Sequence, residues 1–417
     1  MNTTAIKRSA QIDDLLLLVG QTLSQVSDRM VQLGLIWFIT SSFGEAFLIW
    51  YLVVGGLPHA LLVKHSGFAI IRFGALKTVL FSDLMRGFIY LLAFVLVFLF
   101  PSLLSTESGQ RVLWLLFVSV FISNIFSAFF NPAILSLAVE IKESDAVQKL
   151  TAKLSTVTSF ATILGPVLGL FAFNRFGLSG LFAITGFSYL VSAYALSLVT
   201  KNKMPTSVEN EQSQTLSIGF LKSQTIIAVM LGVFLLMNLL LSPLQVLMPS
   251  MAKDLFGNSF NSLAILETVV GAGILLGGAV LSFISVKTKP LFWAWFFLVV
   301  LSLGFSVFTF AGAAGVHNIS FLVASFSLFL MGFALGVANV LIINILQTQP
   351  KASDVPKVMS LVNLISTATL PFSLALLGFL QQSFPIVDLG RVSGIVLVVF
   401  AALSFFTFRR HGKEIFE

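Results

Sequence analysis

The amino-acid sequence predicts an all-α membrane protein with twelve transmembrane helices set in two six-helix bundles. Three observations carry this expectation. Apolar stretches near the length of a bilayer crossing follow one another along the whole chain. Hydrophobic residues make up 57% and charged residues only 10% of the 417 positions, and the mean hydropathy is +1.00. A soluble fold of this size cannot hide that much apolar surface. The two halves also resemble each other weakly, at an offset of about 210 residues.

The first half reads as spans 15–39, 46–63, 78–100, 112–139, 154–173 and 178–199. Span 1 follows the polar stretch 1–11, which does not look like a cleavable signal, and carries a polar stripe. Span 2 holds Pro58 and His59 and runs into Lys64-His65. Span 3 starts after Lys77 and carries Asp83 and Arg86 near its inner end. Span 4 ends at Glu140, at the membrane edge. Gly165-Pro166 predicts a kink in span 5, because proline removes an internal hydrogen bond. Arg175 and Lys201 bracket span 6.

The second half reads as spans 225–249, 263–286, 290–311, 319–346, 358–380 and 392–408. Span 7 contains Asn238 and Gln245, and span 8 contains Glu267. Lys287 and Lys289 precede span 9. Gly332 and Gly336 in span 10 fit the small-residue pattern of close helix packing. Lys351 and Lys357 precede span 11, and Arg409-Arg410 close span 12.

Charge orients the set. With both termini in the cytoplasm, the outside segments hold only Arg111, Arg175, Lys253 and Arg391, while the other loop and terminal Lys and Arg residues fall inside. That is roughly a four-to-one bias, the positive-inside pattern. It accounts for the net charge of +7 without an anionic partner. The chain divides into halves 1–200 and 223–417 joined by a cytoplasmic linker, 201–222, whose stretch 201–214 is the longest polar run. The expected location is a plasma or inner membrane, and the expected state a monomer. No block is long enough for a soluble enzyme domain, cysteine is absent, and the four His are scattered, so no metal cluster, thiolate chemistry or cofactor is expected. A Walker phosphate loop and nucleic-acid modules are also missing.

The repeat rests on two matches. Span 1 carries Val31-Gln32 followed by Phe43-Gly44, and span 7 carries Leu244-Gln245 followed by Phe256-Gly257. The loop after span 4 reads Lys142-Glu143-Ser144-Asp145, and the loop after span 10 reads Lys351-Ala352-Ser353-Asp354. Parallel six-helix halves imply a central cavity near the midplane.

Local sequence adds a resemblance. Gly20-Gln21 followed by Ser27-Asp28-Arg29 resembles the first helix of the macrolide-efflux and enterobactin-exporter branch of the major facilitator superfamily. Gly67, Arg72-Phe73-Gly74 and Lys77, with Asp83 and Arg86-Gly87, are similar to that superfamily's loop 2–3 signature and the helix after it. Gly165-Pro166 and Gly169 look like the core of the motif associated with antiporters, and Leu346-Gln347-Thr348-Gln349 also resembles the exporter branch. Two positions depart: Ile71 stands where the signature has Asp, and Ala75 where it has Arg. Ala161 replaces the first Gly of the helix 5 motif. The resemblance implies a non-enzymatic transporter that exports small amphipathic molecules, of drug, macrolide or siderophore type, by alternating access and proton antiport. A same-fold carrier of a peptide, lipid or nutrient, and a non-transporting sensor or immunity protein, are the alternatives.

Intramembrane ionisable groups mark the candidate sites, because each costs a few kcal/mol at the centre of a spanning helix. Asp14, Gln21, Gln25, Asp28 and Gln32 share one face of span 1, a polar stripe that lipid does not satisfy. Asp28 is then a proton or cation site on a cavity wall, or else the partner of Arg29 or another basic group in a structural ion pair. Glu267, with Gly271 and Gly278 on its face, is the second candidate for proton coupling; the alternative is a neutral carboxyl bonded to a neighbouring helix. Asp83 and Arg86, three apart, are expected to pair in a gating or structural role. Gly67, Arg72, Gly74, Gly165, Pro166 and Gly169 belong to the same gating or structural set. Asn124, Asn131, Asn238, Gln245, Asn339 and Asn363 bridge helices or line the cavity. Of the polar residues, Gln21, Gln25, Gln32, Asn124, Asn238, Gln245 and Asn339 are the expected substrate contacts, with Gln32 and Gln245 at repeat-related positions.

Overall fold

The structure is a computed structural model and describes residues 3–101, 109–141, 144–199, 224–283, 289–311, 317–351 and 354–411. The linker 201–222 and the residues Lys142-Glu143 and Ala352-Ser353 of the second repeat match lie outside the described residues. The described chain is helical throughout. The first half supplies α1 (Thr3–Phe43), α2 (Glu45–Phe73), α3 (Ala75–Leu99), α4 (Gly109–Ile141) and α5 (Ser144–Ser197). The second supplies α6 (Thr225–Leu241), α7 (Leu244–Asp254), α8 (Phe260–Phe283), α9 (Pro290–Ala311), α10 (His317–Thr348), α11 (Val355–Leu380) and α12 (Ile386–His411).

Twelve crossings follow once two of these elements are read correctly. α5 has 54 residues, which at 1.5 Å per residue is about 80 Å, more than twice the hydrocarbon thickness. It breaks at Gly177, whose φ of 65° and ψ of −165° are not helical, and so makes spans 5 and 6. Span 7 is divided instead. Pro243, which has no N–H to give, sits in the turn between α6 and α7, and the two pieces make one apolar stretch, Thr225–Asp254. Ten stretches among the described residues are long and apolar enough to cross a membrane. α1 falls short of that mark because of its polar stripe, and α5 serves twice.

The exposed and buried faces are inverted relative to a soluble protein. On α3 the exposed side is Phe81, Phe88, Leu92, Val95 and Leu99, at helical spacing, while Asp83, Arg86 and Tyr90 are buried. That distribution is stable only where the surrounding solvent is hydrocarbon.

Single glycines make the tight turns. Gly44 between α1 and α2 and Gly74 between α2 and α3 have φ of 89° and 84°, a region open to glycine at no steric cost. The Gly67–Phe73 signature, read above as a loop, is therefore the last turns of α2, with Gly74 alone as the connection. Gly257 has φ of 87°, so the glycines of Phe43-Gly44 and Phe256-Gly257, matched in sequence, share a positive φ. In both turns an N–H returns to the carbonyl five residues back: Gly44 to Ile39 at 3.1 Å and Phe256 to Met251 at 3.0 Å.

The described chain forms two compact units. One takes α1 to Phe38, α2 from Val54, and α3 to α5; the other takes Ile39–Val53 and α6 to α12. In the first, α3 packs on α4 and α5, and Leu17, Ala75, Val79, Phe130 and Leu137 form a fully buried cluster. Ala75 occupies the place where the family signature has Arg, and this apolar surrounding leaves no room for a charge there. In the second unit α10 packs against α8 and α9, α9 against α12, and α6 against α11 and α12. Gly273 and Gly277 of α8 meet Gly332 and Gly336 of α10 so closely that a Cβ at Gly277 would lie 2.1 Å from the Phe333 carbonyl oxygen. At Gly278, expected above to allow close contact, an added Cβ would meet open space, although its backbone N lies 3.0 Å from where a Cβ at Gly336 would stand. Segment Ile39–Val53 joins this unit through Lys253, which donates to the Thr40 carbonyl at 3.1 Å, and Gln381, which donates to Glu45 at 3.1 Å.

Candidate functional site: a carboxylate–guanidinium cluster

The polar side chains of the first unit converge on Arg86. It lies on the buried side of α3 with no exposed side-chain surface. Asp83, one turn earlier on the same face, accepts a hydrogen bond from its Nη2 and is equally buried. From α1, Asp28 accepts from Nη1 at 3.1 Å, and Ser24 accepts from Nη2 at 3.2 Å. Ser24 also donates to Asp83 at 3.3 Å. From the second half of α5, Ser192 donates to the other Asp83 oxygen at 2.6 Å, and the Tyr189 hydroxyl donates to Asp28 Oδ1.

Aromatic faces complete the enclosure. The guanidinium lies 4.3 Å from the Phe130 ring centre and 4.4 Å from that of Tyr189, each an attraction of up to about 2 kcal/mol for a desolvated cation. Tyr189 stacks on Tyr90, with centroids 5.9 Å apart and planes at 15°, and Tyr90 stacks on Phe182. Arg86 Nε, Gln21 Oε1 and Thr185 Oγ1 are buried without a hydrogen-bond partner.

The two acids are not equivalent. Asp83 is sealed and accepts bonds from Arg86, Ser24 and Ser192. The Asp28 side chain remains 32% exposed. With all three groups charged, the cluster carries one excess negative charge. One added positive charge at Asp28 would neutralise it and leave the Asp83–Arg86 pair intact.

The expected residues divide as follows. Asp28, placed with the coupling candidates, and Asp83 and Arg86, placed with the gating set, belong to one network. Arg29 is not the counter-ion of Asp28: it is exposed, one residue and about 100° further round α1. Its stem packs at Gly165, where a Cβ would come within 2.2 Å of Arg29 Cβ, and Gly169 lies against Met30 in the same way. Gly165 and Gly169 of the motif thus lie at one close approach between α1 and α5. On α1 the stripe splits: Gln21 is buried, Gln25 half-buried and Gln32 exposed. Asn124 and Asn238 are half-buried and bond carbonyls of their own helices, Val120 and Phe234. Gln245, Asn339 and Glu267 are half-buried, in α7, α10 and α8 of the other unit. Asn131, Asn363, Gly67 and Arg72 are exposed. Tyr189, Ser192, Ser24 and Phe130 were not anticipated. Their signal is weak: polar side chains in apolar helices, with partners 62 residues away for Ser24 and 161 for Tyr189.

The fold and this inward-turned charge define a membrane transporter of a known kind. Residues 17–372 match the family described as Major Facilitator Superfamily, and the chain belongs to it; its members are transporters of small molecules, not enzymes. The chain is 26% identical over 396 residues to the MFS-type transporter YvqJ of Bacillus subtilis (strain 168), covering 91% of this chain and 88% of that protein. It is 19% identical over 268 residues to Macrolide efflux protein A of Streptococcus pyogenes; that match spans 63% of this chain and 64% of the relative, less than two thirds of its length. Among solved structures, a bacterial homologue of the iron transporter ferroportin in the inward-facing state superposes with a TM-score of 0.73 at 17% identity, covering 94% of this chain and 98% of the other. The nucleoside transporter NupG superposes with a TM-score of 0.70 at 11% identity, covering 96% and 99%. These likenesses establish the fold.

Proposed function

We propose that the protein is a secondary active transporter that exports small amphipathic molecules by alternating access, driven by proton antiport at Asp28. The observation that carries this reading is the asymmetry of the cluster: one fully buried acid paired with Arg86, and one partly open acid whose charge is the excess. A group that gains and loses a proton inside a membrane must reach water in some state, and must leave no unpaired charge behind when it does so. The partly exposed Asp28 side chain and the separate Asp83–Arg86 pair support both requirements. The accessible side of α1 around it (Gln25, Asp28, Arg29 and Gln32) is polar, which supports a water-facing wall. Export, rather than uptake, is supported by the resemblance to the macrolide efflux protein. Glu267 is the second coupling candidate, and Gln25, Gln32, Asn124, Asn238, Gln245 and Asn339 the proposed cargo contacts. The halves 1–200 and 223–417 are the proposed moving bodies, in a plasma or inner membrane, with both termini cytoplasmic and the protein acting as a monomer.

The test is a growth-inhibition screen across compound classes, macrolides first, with and without the overproduced protein. Asp28→Asn is then compared for the compounds that score. Asparagine can still accept from Arg86 and Tyr189, and Asp83 still neutralises Arg86, so the variant is expected at wild-type level in the membrane with energised efflux abolished. Wild-type efflux by Asp28→Asn removes Asp28 from the mechanism.

A further inference from the structure

Two cations of the first unit have no part in the scheme above. Arg72 closes α2 and Lys77 opens α3, each within a turn of Gly74, and both are exposed. Among the described residues no carboxylate pairs with either. The Arg72 guanidinium lies over the Phe73 ring, 5.5 Å from its centre. Gly74, at the N-cap, has no side chain to cap α3, so the positive end of that helix adds to the two charges.

The groups beneath these cations are apolar and bare. α2 has 29 residues, about 43 Å of helix, which matches a bilayer with its headgroups and sets its last turns at headgroup depth. On the face of Arg72, one and three turns deeper, Phe68 and Leu61 are exposed. On the face of Lys77, Phe81, Leu84 and Phe88 are exposed in the same way. Each helix therefore presents a base at headgroup level and an apolar stripe at acyl-chain level. A small free anion would use the bases alone. A phospholipid with a negative headgroup uses both parts, its phosphate at the bases and its chains along the stripes.

We propose that the Gly74 end of the α2–α3 hairpin is a binding site for an anionic phospholipid, with Arg72 and Lys77 holding the headgroup. In the orientation proposed above, the site faces the inner leaflet. It uses neither Asp28 nor proton exchange, so it stands or falls separately from them.

Purified full-length protein is equilibrated in micelles with equal amounts of dioleoylphosphatidylglycerol and dioleoylphosphatidylcholine, and the retained lipid is counted by native mass spectrometry. The chains are identical, so the headgroup alone is compared. Wild type is expected to retain phosphatidylglycerol in preference, and Arg72→Gln and Lys77→Gln each to lower that preference about fivefold. Arg72→Lys and Lys77→Arg, which keep the charge, are expected to preserve it. Lys357→Gln removes a cation already paired with Asp354 at 3.2 Å and is expected to change nothing. No preference in wild type, an unchanged preference when both bases are replaced by Gln, or an equal loss in Lys357→Gln overturns the site. Displacement of phosphatidylglycerol by excess inorganic phosphate at constant ionic strength overturns the lipid as its occupant.

Discussion

A guanidinium with no exposed surface in a spanning helix persists only where its charge is answered within hydrogen-bonding distance. Arg86 is answered twice, and the two answers differ in kind. Asp83 shares its helix and its burial, while Asp28 comes from another helix and keeps an open edge. Arg86→Met is therefore expected to be worse tolerated than Asp28→Asn. It leaves Asp83 buried and unpaired, a loss of about 3–5 kcal/mol, measurable as a lower thermal midpoint and poor recovery in detergent. Arg86→Lys should rescue little, because one ammonium cannot present the fork that reaches Asp28, Asp83 and Ser24 together. Each charged residue of the cluster was visible in the sequence as a costly group in an apolar span. Their common meeting point was not. Asp28 and Arg29 are neighbours in the chain and were natural partners on paper, but a single step along a helix turns a side chain through about 100°, and the structure gives Asp28 to a residue 58 positions away.

At the scale of helices, glycine decides which pairs come close. A Cβ at Gly277 would meet backbone, not a side chain that can move aside, so Gly277→Ala is expected to push α8 from α10 and cost about 1–3 kcal/mol. Gly278→Ala, one residue on and facing open space, should be neutral or slightly stabilising, since alanine is the better helix former. Thermal unfolding of the two variants side by side checks this. The spacing of Gly332 and Gly336 announced a packing face in the sequence, and Gly165-Pro166-Gly169 a special place in span 5. Neither said which helix would lie there. Gly271 and Gly278 share the face of Glu267, whereas Gly273 and Gly277, on another side of α8, make the tightest approach to α10. The break at Gly177 falls in the gap between the predicted spans 5 and 6, and Gly44 between spans 1 and 2; that Gly44 and Gly74 are each the whole connection was hidden, because a tight turn needs only one residue and hydropathy averages over many.

For the whole molecule, hydropathy and loop charge were enough to predict an all-helical chain of twelve crossings in two halves, because a membrane allows few other solutions. The absence of cysteine makes the proposed orientation directly testable. Ser207→Cys in the linker should react with a membrane-impermeant maleimide only in inverted vesicles, and Gln382→Cys, in the turn between α11 and α12, only in intact cells. The reverse labelling would invert the topology and with it the direction of transport. The central claim is that cargo leaves in exchange for a proton carried by Asp28. The most direct measurement is cargo-driven proton movement in proteoliposomes, with wild type and Asp28→Asn run together on a compound the growth screen selects. The account predicts proton flux with wild type and none with Asp28→Asn, although the variant still binds the compound. Equal proton flux in both would contradict it.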